Sequence, residues 1–412
     1  MRIYLSNKVS CIKKFGDSLY IKTEKNMYQV SKPVQLLVDL YIDGVTDFEQ
    51  MLLILINKYK INGSFSDVKD VFENNSQFLD IFTFEECSNS VKVVGAYGKR
   101  YPFELHIELT NVCNLNCPHC YKKANEGTIS FLDFQTLKNR IFDRCASQTR
   151  VLHLTGGEPT LHPEFKEIVD FASNIFHIQL TTNGANLWNI PVSTLSKISD
   201  IDISMYGTDR NSYEISTGNA YAYDNFEKTC ALLRNNKIEF RINMIVNHIN
   251  IAELDNYVVK AIELGATSFS FGVPVKTGRL IEKPDEEWYC DSDMTKKIYR
   301  YMRKASEKYA DKISIVEWGR DVYSHKGSIF SNNYALPCKG GSFSWWMNEK
   351  MEFRPCAMIP EEYILLPYEE WVGYCESTFN INWESSYLKF EEFCSRKEMD
   401  PSDICYVFKR HT

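Results

Sequence analysis

The chain is expected to be an α/β protein: a partial parallel barrel of about six strand–helix units, with a small winged-helix-like unit before it and a loop-rich unit after it. Three observations lead there. From Phe103 to about residue 318, strand-like apolar runs alternate with helical stretches. Ahead of them, three short β-type runs precede three helical ones. From about Gly319, regular periodicity fades while aromatics, glycines and five cysteines appear.

In the first unit, residues 1–85, Val9–Phe15, Ser18–Lys22 and Met27–Val30 read as strands, separated by Gly16-Asp17 and residues 23–26. Ser31 reads as a helix cap, with Pro33 at an early helical position. Val34, Leu37 and Leu40-Tyr41 then recur at helical spacing until Asp43-Gly44. Further helices are expected over about 47–59 and 66–79. Residues 86–102 read as a linker.

In the barrel, residues 103–318, strands are expected at 103–110, 151–155, 177–182, 200–205, 239–246 and 267–273. Helices are expected at about 130–148, 163–174, 225–236 and 253–264. Such alternation gives a parallel sheet with right-handed crossovers. Function in parallel barrels gathers where strands end and loops begin. Residues 319–412 make the third unit.

Composition excludes several classes. A formal charge of −7 gives no electrostatic footprint for nucleic acid. No signal-peptide pattern opens the sequence, and no apolar run approaches the ~20 residues that span a bilayer. The expectation is a cytoplasmic protein without a membrane partner. Thirteen cysteines without export signals then indicate metal or redox chemistry, not a disulfide framework.

The chemistry concentrates at Asn111-Val-Cys-Asn-Leu-Asn-Cys-Pro-His-Cys-Tyr121. Cys113, Cys117 and Cys120 have C-x3-C-x2-C spacing, and Tyr121 follows. Three thiolates are one too few for a four-iron cluster, which leaves one iron open to a ligand. The alternative is a zinc site from these thiols and His119.

This run resembles the signature of radical S-adenosylmethionine (SAM) enzymes, and further segments extend the likeness. Thr155-Gly-Gly-Glu-Pro159 resembles the motif that holds the methionine part of SAM, which implies roles for Gly156, Gly157, Glu158 and Pro159. Thr181-Thr-Asn-Gly184 would border the SAM pocket through Asn183, or be only a turn. Ser204 matches a position that binds the SAM ribose in relatives; Tyr206 stands where many of them carry Asp. Arg241 would pair with the SAM carboxylate, or form a barrel-end salt bridge. The resemblance implies a [4Fe–4S] cluster with one open iron, SAM, and a 5′-deoxyadenosyl radical that abstracts hydrogen. The fold it implies is a partial (β/α)6 radical SAM barrel.

The flanking units carry likenesses too. The order of the first 85 residues resembles the recognition element of peptide-modifying enzymes, which adds a precursor's leader to a sheet edge. A winged helix that binds DNA or only packs on its neighbour is the other reading. Cys338-Lys-Gly-Gly through Pro355-Cys356 resembles the opening of SPASM/twitch extensions, and Gly278-Arg279 the segment leaving the barrel in those relatives. Four of Cys338, Cys356, Cys375, Cys394 and Cys405 would hold an auxiliary [4Fe–4S] cluster, or these thiols form a zinc knot or stay reduced. Cys11, Cys87, Cys145, Cys230 and Cys290 show no ligand spacing, and His153 and His162 read as structural.

The function implied is a radical SAM peptide maturase acting on a ribosomally made precursor peptide, with a thioether or other side-chain crosslink as product and flavodoxin or ferredoxin as electron donor. The alternatives are a radical SAM dehydrogenase or maturase acting on a folded protein or small molecule, and a zinc-holding peptide- or DNA-binding module.

Overall fold

The computed structural model describes residues 1–23, 27–282, 288, 292–317, 340–359, 365–381, 388–389, 392 and 394–396. Among them, Met1–Tyr101 form one compact unit and a second begins at Pro102.

The first unit holds a four-stranded sheet in the order β4-β3-β2-β6, from β2 (Val9–Phe15), β3 (Ser18–Thr23), β4 (Met27–Gln29) and β6 (Lys92–Val94). A second, two-stranded sheet pairs β1 (Tyr4–Leu5) with β5 (Phe82–Thr83). Gly16 turns the β2–β3 hairpin at φ +54°, a left-handed conformation that glycine adopts without Cβ cost. Four helices follow β4: α1 (Lys32–Ile42), α2 (Phe48–Tyr59), α3 (Phe65–Glu73) and α4 (Ser76–Ile81). Ile12, Leu19, Ile21, Leu37, Phe48, Leu52, Leu55 and Phe78 are fully buried between sheet and helices. Each such side chain contributes about 1.5–3 kcal/mol of burial energy.

Three expectations change here. Ser31 precedes α1, but its side chain makes no capping bond; Pro33 supplies the early fixed φ. The expected third helix is two, because Asn75 caps α4 by accepting from Phe78 N at 3.0 Å. Residues 86–102 are not a linker: β6 pairs parallel to β2, and Gly16 N donates to Lys99 O at 2.7 Å.

The second unit is built on a nine-stranded sheet in the order β13-β12-β11-β10-β9-β8-β7-β14-β15. The six expected barrel strands are β7 (Glu104–Glu108), β8 (Val151–Thr155), β9 (His177–Thr182), β10 (Asp200–Ser204), β11 (Arg241–Ile245) and β12 (Ser268–Gly272), all parallel. A seventh parallel strand, β13 (Ser314–Glu317), lengthens the sheet beyond the expected six. Along β7 to β11 the buried apolar residues Leu105, Ile107, Leu152, Leu154, Ile178, Leu180, Ile201, Ile203, Ile242 and Met244 alternate with Glu104, His106, Glu108, His153, Thr155, Gln179, Thr181, Asp202 and Ser204. A period of two puts the second set on one face of the sheet, which is polar.

The C-terminal segment is not a separate unit. Its β14 (Ser344–Met347) runs parallel to β7, in the register Ser344↔Glu104 to Met347↔Ile107, and β15 (Phe353–Arg354) pairs antiparallel to β14. Left alone, the β7 margin would expose a row of unpaired backbone groups. Trp345 and Met347 bury completely on the new strand. The helix expected at 130–148 runs from Phe134 to Cys145 through a π-helical turn at Leu137–Phe142. Helices over Arg210–Thr217 and Ser292–Lys308 lie outside the expected set. The second is mostly polar and, among the described residues, buries Met294, Ile298, Met302 and Ala305, a narrow stripe.

Candidate functional site: three thiols at the strand ends

β7 ends at Glu108, and the loop after it carries all three motif cysteines. Asn125, at φ +69°, closes that loop: its Oδ1 accepts from Cys113 N at 2.8 Å and its Nδ2 donates to Cys113 O at 2.9 Å. Asn111 anchors the return, donating to Thr128 O at 2.8 Å and accepting from Ser130 N at 2.9 Å. Backbone N–H groups point at sulfur: Leu115 N lies 3.4 Å from Cys113 Sγ, and Ala124 N lies 3.4 Å from Cys120 Sγ. Burial pushes the Cys113 thiol up to about 12, with Glu158 and Cys120 adding to it. Cys117 is pushed up by burial and then by Cys113 and Cys120, so the thiols sense one another.

The Gly-Gly-Glu-Pro turn leaves β8 and packs on this loop. Gly157 N donates to Thr110 O and Glu158 N to Val112 O, each at 2.8 Å. A Cβ on Gly156, at φ +134°, would lie 2.6 Å from Thr110 O, and one on Gly157 would strike the Val112 carbonyl. The glycines therefore let the turn approach the cysteine loop.

Glu158 is fully buried. Its Oε1 accepts from Thr160 Oγ1 at 2.5 Å and Thr182 Oγ1 at 2.7 Å, and its Oε2 from Asn183 N at 2.8 Å. Burial raises its carboxyl above the usual range, against the pull of those donors. Asn183 in turn donates to Asn114 Oδ1 at 2.6 Å and sits 3.7 Å from Cys113 Sγ. Glu158 and Asn183 thus join the ends of β8 and β9 to the cysteine loop.

Ser204 ends β10 with its side chain on the polar face. Tyr206 lies beside Ser204 and the Cys117 thiol. Its ring lies 5.8 Å from His119, which stacks on Trp288 at 5.4 Å. Burial lowers His119 to about 4, so its imidazole is neutral near pH 7. Arg241 does not reach the strand ends. It opens β11, and its guanidinium grips Asp202 bidentately, with Nη2 2.7 Å from Oδ2. The salt-bridge alternative describes it.

Residues 107–261 match the model of the radical SAM superfamily. The chain carries a radical SAM domain. Over 98% of its length it is 25% identical to the antilisterial bacteriocin subtilosin biosynthesis protein AlbA of Bacillus subtilis, covering 86% of that protein. It is 26% identical to the sporulation killing factor maturation protein SkfB of the same organism, over 70% of this chain and 68% of that one. Its fold is similar to Streptococcus suis SuiB bound to S-adenosylmethionine, with TM-score 0.66 and 13% identity across 97% of this chain and 94% of the other. SuiB bound to its precursor peptide SuiA gives 0.60 at 13% identity, covering 91% and 88%.

Radical SAM domains use a [4Fe–4S] cluster and SAM, and the thiols of this one suit a cluster better than a single ion. Sulfurs on one tetrahedral zinc stand about 3.8 Å apart, given Zn–S near 2.3 Å. Among the described residues, only Glu104, His106 and His153 bring three donor atoms of Cys, His, Asp or Glu within 4.8 Å of one another. The three thiols are spread wider than zinc needs, while N–H groups aimed at sulfur are what a cluster's thiolates use.

The radical SAM domain's loop rests on supports that no contiguous motif marks. Lys122, next to Tyr121, lies 2.6 Å from Glu108 Oε2 and 2.5 Å from Glu349 Oε2. Arg354 Nη2 lies 2.9 Å from Glu108 Oε1, and all four groups are almost wholly buried. This network ties the cysteine loop to the β14–β15 hairpin. Arg279 Nη1 donates to Cys117 O at 3.1 Å, its Nη2 donates to Ala124 O, and its Nε lies 2.8 Å from Glu126. A Cβ on Gly278 would collide with the Cys120 and Tyr121 carbonyls. The noted Gly278-Arg279 pair was the available signal for this lid on the loop.

Of the C-terminal thiols, Cys375 and Cys394 are buried, and burial raises Cys356. Cys338 and Cys405 lie outside the described residues, as does Cys290. Cys11, Cys145 and Cys230 are buried and Cys87 is half-buried.

Proposed function

We propose that the chain is a radical SAM peptide maturase acting on a ribosomally made precursor, with a thioether or another side-chain crosslink as product. The observation that carries the radical chemistry is the set of Cys113, Cys117 and Cys120, spaced too widely for one ion and backed by the Gly-Gly-Glu-Pro turn. When bound, the cluster and SAM supply a 5′-deoxyadenosyl radical that removes hydrogen from the peptide. The three thiols would hold three of the cluster's irons. Gly156, Gly157, Glu158, Pro159, Asn183, Ser204 and Tyr121 border the SAM side. Tyr206 and His119 wall it with buried aromatic and neutral groups that exclude water and protons.

Support for a peptide substrate comes from the full-length likeness to AlbA and from the fold shared with SuiB. The first unit offers the leader an outer strand, β4, to extend by main-chain hydrogen bonds. Cys356, Cys375 and Cys394, with Cys338 and Cys405, supply enough thiols for an auxiliary cluster. A flavodoxin or ferredoxin delivers the electron. The test is anaerobic incubation with the candidate precursor, SAM and a reductant. A product lighter by one hydrogen pair supports the reading, and an unmodified peptide beside continuing SAM cleavage opposes it. Removing Met1–Tyr101 separates leader capture from chemistry: precursor affinity falls while cleavage of SAM without peptide persists. Unchanged affinity contradicts leader capture.

A further inference from the structure

The polar face of the second unit's sheet holds a donor cluster that the radical chemistry does not use. Glu104 and His106 alternate along β7, and His153 sits beside His106 on β8 in the register His106↔His153. Glu104 Oε1 lies 3.2 Å from His106 Nε2 and 3.6 Å from His153 Nδ1. The imidazoles face each other with centroids 4.6 Å apart, and Trp346 of β14 stacks on His106 at 4.1 Å and 5°. Their side chains are only 11–19% exposed.

We propose that Glu104, His106 and His153 form a binding site for one divalent transition-metal ion of the zinc type. Two N/O ligands about 2.1 Å from a tetrahedral ion stand about 3.4 Å apart, and the observed 3.2 and 3.6 Å bracket that spacing. His153 Nε2 is 2.7 Å from Thr181 Oγ1. When Nε2 donates to that hydroxyl, the Nδ1 lone pair is the one left for a metal ion. Two imidazoles and a carboxylate make a three-ligand set whose fourth position stays open to water or a substrate group. The set is distinct from the three thiols, which come from the loop beyond the C-terminal end of β7.

The test uses the anaerobic, cluster-reconstituted full chain, equilibrated with buffered zinc and desalted, with zinc and iron measured together. About one zinc per chain is expected in the wild type, and a loss of most of it in Glu104→Gln and in His153→Gln at unchanged iron. Zinc uptake that is absent, or equal in the variants because spare thiols hold it, overturns the proposal. X-ray absorption at the zinc edge of the wild type needs no variant to fold. A nitrogen/oxygen shell near 2.0–2.1 Å with imidazole scattering supports the site, and a sulfur shell near 2.3 Å overturns it.

Discussion

Lys122 Nζ lies 2.6 Å from Glu108 Oε2, both side chains at most 4% exposed. One partner ends the first barrel strand, and the other follows the last cysteine of the motif by two residues. Glu349 and Arg354 complete the network from the C-terminal hairpin. Removing one member strands a buried charge, which costs about 3–5 kcal/mol. Lys122→Met should therefore lower the melting temperature strongly. Lys122→Met with Glu349→Gln should lose less than the sum of the single losses, as a double-mutant cycle would read.

The same network sets an acid limit. Burial alone would raise the Glu108 carboxyl, but Arg354 and Lys122 outweigh it, so it lies below its usual range. Its contribution to stability is then complete above the unfolded carboxyl pKa of about 4.3 and lost as pH falls through the lower folded value. Melting temperature should drop steeply below about pH 4 in the wild type and less so in Glu108→Gln.

Gly157→Ala places a methyl against the Val112 carbonyl, between turn and cysteine loop. Overpacking of this kind costs about 1–3 kcal/mol. Reconstituted iron should fall while far-ultraviolet circular dichroism stays near wild type. Full iron loading would show that the loop tolerates the displacement.

Arg279→Met removes the bonds that hold the Cys117 and Ala124 carbonyls. Each lost bond from a charged donor is worth about 1.5–3 kcal/mol. Iron release to a chelator should be faster than in the wild type; an unchanged rate would make Arg279 a bystander.

Much of this was legible in the chain because local chemistry repeats there. The strands β7 to β12 announce themselves by apolar runs before loops, and the cysteine spacing and Gly-Gly-Glu-Pro turn are contiguous. Long-range pairing was not legible. The four residues Ser344–Met347 carry no sign that β7 is their partner, and Lys92–Val94 none that β2 is theirs. Lys122 and Glu349 are 227 positions apart, and only the fold makes them neighbours. Arg241 could be read toward a ligand until the register set it opposite Asp202. His153 read as structural in isolation, and it gained a meaning only beside Glu104 and His106.

In the proposed function, three thiols hold an open-sited cluster for SAM. The direct measurement is 5′-deoxyadenosine formed by the reconstituted, reduced protein with Cys113, Cys117 and Cys120 all changed to Ala. None is expected, with the fold and any iron held by the C-terminal cysteines retained. Continued 5′-deoxyadenosine formation by that variant would contradict it.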